Sequence, residues 1–572
     1  MVLPRSIVFV SIWVLLAASG GAQRLPVEGR RGMVVAADAL ASQVGVDILR
    51  QGGNAVDAAV GVGFALAVTF PIAGNLGGGG FMVIRMADGS STAIDFREVA
   101  PAAAGRDLYL DEDGQVIPMA SLYGYRAAGV PGTVAGLLLA LEKYGRLDRS
   151  VVLEPARRLA AEGFVMSGAM AAKLRTHAEA LGQFPETRRI FLRDGLYWNA
   201  GDRFVQSDLA ATIERIQQSG REGFYAGETA RLIAESMTAN GGLITREDLA
   251  AYRPVERAPL RGRYRGLEIL TMPPPSSGGI CLLQMLQMVE PHDLGALGFG
   301  GSETIHLMTE AMRRAFRDRA QFPGDPAFVD VPVDGLVSRD YAVDRMADFE
   351  PERATKSEAV SPGRPVGYES PETTHFSIVD EEGGAVSTTY TLNRQYGCNV
   401  TVPGTGVLLN NEMDDFTSKP GITNSFGLIQ GEANAIAGGK RPLSSMTPSI
   451  VLRDNELFMV LGSPGGPKII NIVFQVLVNV VDHGMNIQQA VDLPRFHHQW
   501  MPDEIRFEPF ALAPDVARAL EARGHRLSPF VDDPPRDKRY WGDAAAILVD
   551  PATGTRQGAA DPRNPRSMAV GY

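Results

Sequence analysis

Cysteine is the scarcest residue in this chain: there are two in 572 residues, Cys281 and Cys398. At most one disulfide can form, and the sequence leaves open whether the two meet or stay as buried, unpaired thiols. Runs of lysine or arginine are missing as well, and the formal net charge is -11. That balance argues against nucleic acid and against an acidic membrane surface as partners. Histidine numbers only eight, none in a triad context. The adjacent pair His497-His498 would point apart on a strand, with no third ligand at metal spacing. Other signatures fail too. The glycine-rich stretch 75–81 matches neither a P-loop nor a dinucleotide fingerprint, which leaves close backbone packing as its reading. No G-x-S-x-G surrounds Ser445. The acidic stretch 410–416 lacks the alternating ligands and central glycine of a calcium loop.

What is present suits a large globular protein, since 45% of residues are hydrophobic and 21% charged. Residues 7–18 form an apolar run of about twelve after Arg5, followed by small residues up to Ala22. This predicts a signal peptide, 1–22, and an exported protein, periplasmic or secreted; an uncleaved membrane anchor is the alternative, although the run is too short to span a bilayer. Asp38 caps a first predicted helix and Asn54 an Ala/Val-rich second one, apolar on all faces and therefore buried. Strands follow at 81–85 and just before Arg97. From 129 to 348 the pattern is mostly helical, with Asp318-Arg319 read as architectural. A hairpin over 449–461, turning at Asp454-Asn455, runs through Gly465-Gly466 into a helix from 469 to 481. Glycines there leave bare N–H groups where the helix dipole favours negative charge, as a tetrahedral oxyanion requires.

One junction gives the rest a purpose. Residues 351–371 are rich in proline, serine and charge and read as a loose, solvent-exposed linker. A β-prone pair of runs around 381–384 follows and reads as a hairpin. A cut between Glu372 and Thr373 would therefore free a threonine carrying both a hydroxyl and an α-amine. An α-amine titrates near pH 8, so a useful fraction can take the hydroxyl proton at neutral pH. Thr391 lies on the return strand, where it can approach Thr373 across the sheet.

Five ordered motifs carry a resemblance: Thr373-Thr374-His375-Phe376-Ser377, Tyr390-Thr391-Leu392-Asn393, the stretch from Leu408 through Asn410-Asn411-Glu412-Met413-Asp414-Asp415-Phe416, Lys440-Arg441-Pro442-Leu443-Ser444-Ser445-Met446, and Gly462-Ser463-Pro464-Gly465-Gly466. Their order and spacing resemble the γ-glutamyltranspeptidases from about residue 31 to the end. The resemblance implies an N-terminal-nucleophile hydrolase fold, a four-layer αββα arrangement with two stacked antiparallel sheets. It also implies a precursor that cuts itself before Thr373 into a large subunit, 23–372, and a small one, 373–572, held as a heterodimer. Thr373 becomes the nucleophile, Thr391 its support, and Gly465-Gly466 the oxyanion hole. Arg97, Ser444 and Ser445 take the donor's α-carboxylate, while Asn393, Glu412 and Asp415 take its ammonium at the opposite end. Residues 419–440 resemble a lid, with Phe426 where a tyrosine is common. No metal or organic cofactor is needed. Expected partners are γ-glutamyl donors such as glutathione, and water, amino acids or peptides as acceptors. Two alternatives are an acylase acting on glutaryl-cephalosporin or poly-γ-glutamate amides, and a binding relative that is never cut.

Overall fold

The computed structural model describes residues 24–322, 324–363, 374–429, 431–529 and 541–572. The expected targeting segment, the Glu372-Thr373 junction and the linker beyond 363 lie outside the described residues. Among the described residues, no helix is long and apolar enough to cross a membrane.

Two seven-stranded sheets form the middle of the molecule. The first runs, in spatial order, Met568–Gly571, Met33–Ala36, Thr374–Val379, Ala385–Thr391, Gly79–Arg85, Ser91–Phe96 and Val255–Arg257. The second runs Val27–Gly29, Arg556–Ala560, Ala545–Val549, Glu456–Gly462, Ser449–Arg453, Leu267–Thr271 and Leu260–Tyr264. Every pairing in both is antiparallel.

The two-residue period of a strand decides the layering. In Thr374–Val379, Phe376 and Ile378 join a core with the helices Ala39–Arg50, Ala55–Thr69 and Thr133–Tyr144. Val379, on the opposite face, packs between the sheets with Val460 and Ile547. The outer face of the second sheet is covered by Gly278–Val289, Ser302–Gln321 and Lys468–Val481. These are the four αββα layers that the resemblance implies.

Local signals explain the elements nearest the site. Asn54 and Asp57 form a capping box on Ala55–Thr69, which is buried at every position. A Cβ at Gly77 or Gly78 would lie 2.0 Å from Leu408 O or 1.8 Å from Thr391 O, so the strand ends meet only because these residues have no side chain. Asp454 and Asn455 turn their hairpin with φ of 51° and 67°. Cys281 and Cys398 are both free and buried.

The linker is a correction over its described part. Ala354, Ser357 and Val360 are buried. Ala354 N donates to Arg523 O at 2.7 Å, Ser357 N to Asp503 Oδ2 at 2.9 Å and Gly363 N to Asp318 Oδ1 at 2.9 Å. Its anchors are mostly backbone amides received by residues far along the chain, which a composition suggesting solvent exposure does not reveal.

Candidate active site

Arg97 directly follows the strand Ser91–Phe96 and is fully buried. Its Nε donates to Pro442 O at 3.1 Å and its Nη2 to Leu443 O at 2.8 Å, tying it to the segment that continues as Ser444-Ser445, both fully buried. Nη2 also donates to Asp415 Oδ2 at 2.6 Å, and Nη1 donates to Glu412. Glu98 Oε2 lies 3.7 Å from Nη1. Glu412 and Asp415 stand on the short 3₁₀ turn Glu412–Asp415, where a spacing of three puts them on one face. Asn410 fixes that turn: its Oδ1 accepts from Glu412 N and Gly129 N, both at 2.9 Å, and its Nδ2 donates to Gly77 O and Gly129 O.

The expected site residues Arg97, Glu412, Asp415, Ser444 and Ser445 thus come together, but in a different relation. Sequence reasoning set Arg97 and the carboxylates at opposite ends of a head group; here the guanidinium touches both carboxylates directly. Two contributors were missed. Glu98 is a third buried carboxylate, and the signals for it were its adjacency to Arg97 and glycines at 79 and 129; a Cβ at Gly79 would sit 2.5 Å from Glu98 Oε2. Arg319, read as architectural, reaches Ser445 Oγ with its Nη2 at 3.4 Å.

One guanidinium among three buried carboxylates leaves an excess of negative charge. Burial pushes Glu98 up to about 7, with Arg97 pulling the other way. Burial likewise raises Glu412 and Asp415 well above the carboxylate range, each further raised by a neighbouring acid. Arg97 is held charged: burial opposes this, but the Glu412, Asp415 and Glu98 charges outweigh it. Glu98 Oε1 and Oε2, Glu412 Oε2 and Asp415 Oδ1 take no hydrogen bond from a donor among the described residues, and neither does Asn393 Oδ1. Buried acceptors left this way are costly, and a cationic ligand would satisfy them.

Thr391 ends the strand Ala385–Thr391, and its Oγ1 accepts from Asn393 N at 2.7 Å. Asn393 holds a left-handed φ of 73° and donates from Nδ2 to Asn411 O at 2.9 Å. Across the sheet, Thr374 pairs with Tyr390. Gly462 lies against the His375 ring, so close that a Cβ would fall 2.4 Å from it. Buried between the sheets, His375 is pushed down to about 3; its ring nitrogens bond to the hydroxyls of Thr389 and Ser377. It is a neutral structural group. Gly465 and Gly466 follow with φ of 132° and 68°, just before the helix Lys468–Val481. Neither amide donates to a partner among the described residues.

Phe426 is half-buried in a loop tied down by Ser425 Oγ, which donates to Asp414 Oδ2 at 2.5 Å; Ser121 Oγ takes the other oxygen at 2.7 Å. The Arg394 guanidinium carbon lies 4.8 Å from the Phe426 ring centre. His497 bonds to Asn471 and Gln499, and His498 to Asp503 and Trp500 N. Ligand atoms of His306, Glu310 and His525 do lie within 4.8 Å of one another. Glu310 is already bound by Arg313 and Arg314, though, and His306 Nδ1 sits 2.7 Å from His525 Nε2, which suits a hydrogen bond rather than an ion between them.

A profile described as Gamma-glutamyltranspeptidase matches residues 41–571. The chain belongs to the gamma-glutamyltranspeptidase family. A member from Escherichia coli strain K12, named glutathione hydrolase proenzyme, is 47% identical over 548 residues, 96% of this chain and 93% of that protein. The cephalosporin acylase from Bacillus halodurans is similar in structure, with a TM-score of 0.85 at 27% identity, covering 98% of this chain and 99% of that one. The Helicobacter pylori gamma-glutamyltranspeptidase aligns with a TM-score of 0.56 at 47% identity, over 57% of this chain and 93% of that one. Within the gamma-glutamyltranspeptidase family, then, this chain has the N-terminal-nucleophile hydrolase fold.

Proposed function

We propose that this chain is an exported γ-glutamyltransferase and glutathione hydrolase, made as a precursor that cuts itself before Thr373 into subunits 23–372 and 373–572. The observation that carries the reading is the buried cluster around Arg97, which offers a zwitterion both of its counter-charges. The α-carboxylate takes Arg97 together with the Ser444 and Ser445 hydroxyls. The ammonium brings three donors, and Asn393 Oδ1, Glu412 Oε2 and Asp415 Oδ1 are acceptors without a donor among the described residues. Anchored so, the side-chain carbonyl of a γ-glutamyl amide points away from the cluster towards the strand end.

The described ladder ends with Thr374 opposite Tyr390, whose next residue is Thr391. The Thr373 α-amine takes the hydroxyl proton and Oγ1 attacks the γ-carbonyl carbon. The oxyanion is received by the amides of Gly465 and Gly466, donors of a kind worth roughly 3 to 4 kcal/mol in a transition state. The C–N bond breaks, the leaving amine takes the proton, and a γ-glutamyl ester remains on Thr373. Water or an amine then attacks that ester, its C–O bond breaks, and Thr373 Oγ1 takes back a proton from the attacking group through the α-amine. In the precursor the same hydroxyl attacks the Glu372 carbonyl, the C–N bond to Thr373 breaks as its nitrogen takes the proton, and water opens the resulting ester to leave the Glu372 carboxylate and the free Thr373 hydroxyl and amine. Apart from donor, acceptor and water, these steps use this chain's own groups.

A second reading is acylase activity on an amide whose acyl group lacks the α-amine, favoured by the whole-length likeness to a cephalosporin acylase. Intact mass with γ-glutamyl-p-nitroanilide and its glutaryl counterpart separates the two. Two chains, a new N-terminus at Thr373 and release from the γ-glutamyl anilide support the first reading; equal release from the glutaryl anilide favours the second. A single uncut chain without release overturns both and leaves a binding role.

A further inference from the structure

The donor's head group accounts for the inner wall of the site but not for the other half of the amide. Arg394 follows Asn393 on the outer side of the same segment and is exposed. Its backbone is fixed: Arg394 N donates to Asn411 Oδ1 at 3.0 Å, while Asn411 O receives Asn393 Nδ2. Its guanidinium rests on the Phe426 ring at 4.8 Å. Phe426 is held in turn, since Asn424 Oδ1 accepts from Phe426 N at 3.0 Å and Leu428 N at 3.2 Å, and Ser425 is clasped by Asp414.

Among the described residues the Arg394 side chain donates no hydrogen bond and joins no ion pair. Other exposed arginines, such as Arg31, Arg146, Arg158 and Arg231, each have a carboxylate. Asp414, the acid whose carboxyl feels the Arg394 charge, makes no ion pair with it and is bonded by two hydroxyls. A guanidinium lying on a ring keeps its five N–H donors at the rim of its plane, where a carboxylate accepts two in parallel. The stacking also restricts the side chain before any ligand arrives, which lowers the ordering cost.

We propose that Arg394 is a specificity-determining residue that binds a carboxylate on the leaving or accepting half of the amide, such as the C-terminal carboxylate of a peptide. The inference rests on the γ-glutamyl reading above. Arg97 selects the head of the donor, and Arg394 selects what is removed from it or joined to it. Phe426 serves as its platform, so the loop contributes to selectivity without a tyrosine hydroxyl.

The test compares γ-glutamyl-p-nitroanilide with γ-glutamyl-3-carboxy-4-nitroanilide, taking the ratio of kcat/KM within each enzyme so that losses of folding or maturation cancel. The mature wild-type enzyme is expected to favour the carboxylated donor by about 3- to 5-fold over Arg394→Gln, the size of an exposed ion pair. Arg394→Lys should fall between them, and the wild-type ratio should shrink as salt is raised. Identical ratios in wild type and Arg394→Gln, or a wild-type ratio indifferent to salt, overturn the proposal. No release from either donor by the wild-type enzyme instead overturns the γ-glutamyl reading, and this inference with it.

Discussion

Two of the buried charge clusters among the described residues titrate in opposite directions. Around Glu310, burial alone would raise the carboxyl, but Arg313 and Arg314 outweigh it and hold the group down at about 2. Oε1 accepts from Arg313 Nε and Thr355 N, both at 3.2 Å, and Oε2 receives Arg314, so no acceptor is spare. Around Arg97 the count is inverted: one cation faces three acids, Glu98 is pushed up to about 7, and several oxygens have no donor among the described residues. The first cluster is complete as folded and staples 354–357 to the helix Ser302–Gln321. The second, on the reading proposed above, takes a ligand bearing a positive charge. Burial and charge alone do not mark a binding site; the unmatched acceptors do.

The comparison is broken most severely at Arg97. Arg97→Ala leaves three buried acids without their cation, and kcat/KM for γ-glutamyl-p-nitroanilide should fall by about 10³-fold or more; an unchanged KM would refute its place at the donor carboxylate. Glu310→Gln removes the carboxylate shared by two buried arginines, which keep Asp503 and Asp348 respectively, and should destabilise the fold by roughly 1 to 3 kcal/mol in denaturant melts, while the donor KM of the folded fraction moves less than about twofold. A large KM change there would erase the distinction between the clusters. Asp415→Asn should lower the preference for a γ-glutamyl over a glutaryl anilide by about 10- to 100-fold, since a neutral amide reads an ammonium poorly.

The smallest effect sharpens the contrast through pH. Glu98 protonates at about 7 when folded and near its ordinary 4.5 when unfolded. Below 4.5 both states hold the proton and the group is silent. Between 4.5 and 7 the unfolded chain loses it first, so stability falls as pH rises, and the full penalty stands above 7. Glu98→Gln should therefore melt higher than wild type at pH 8, on the order of a few degrees, with the gap closing towards pH 4.5. A gap that widened in acid would reverse the assignment.

How much of this was legible in sequence depended on distance along the chain. Caps such as Asn54 with Asp57 and the turn at Asp454-Asn455 act over a few residues, so residue type alone announces them; the glycines at 77–80 announce close packing but not the distant strand ends they meet. The motifs named nearly every side chain of the site through family likeness, yet not how those chains meet. Arg97 and Glu412 are separated by 315 positions, and their direct contact belongs to the packing of two sheet ends. Glu98 was hidden by its bolder neighbour. The anchoring of 354–363 was hidden because the partners, Asp318, Asp503 and Arg523, lie on elements whose placement composition does not specify.

The sheets themselves carry one more consequence. Strands from before residue 373 and from after it share both sheets: Met33–Ala36 lies between Met568–Gly571 and Thr374–Val379, and Ser449–Arg453 pairs with Leu267–Thr271. Opening the backbone ahead of Thr373 would thus divide the covalent chain without dividing the fabric, for the two pieces remain woven through shared ladders. Exchange of a piece between two molecules would have to wait for global unfolding, so each pair born from one precursor should stay together for the lifetime of the fold.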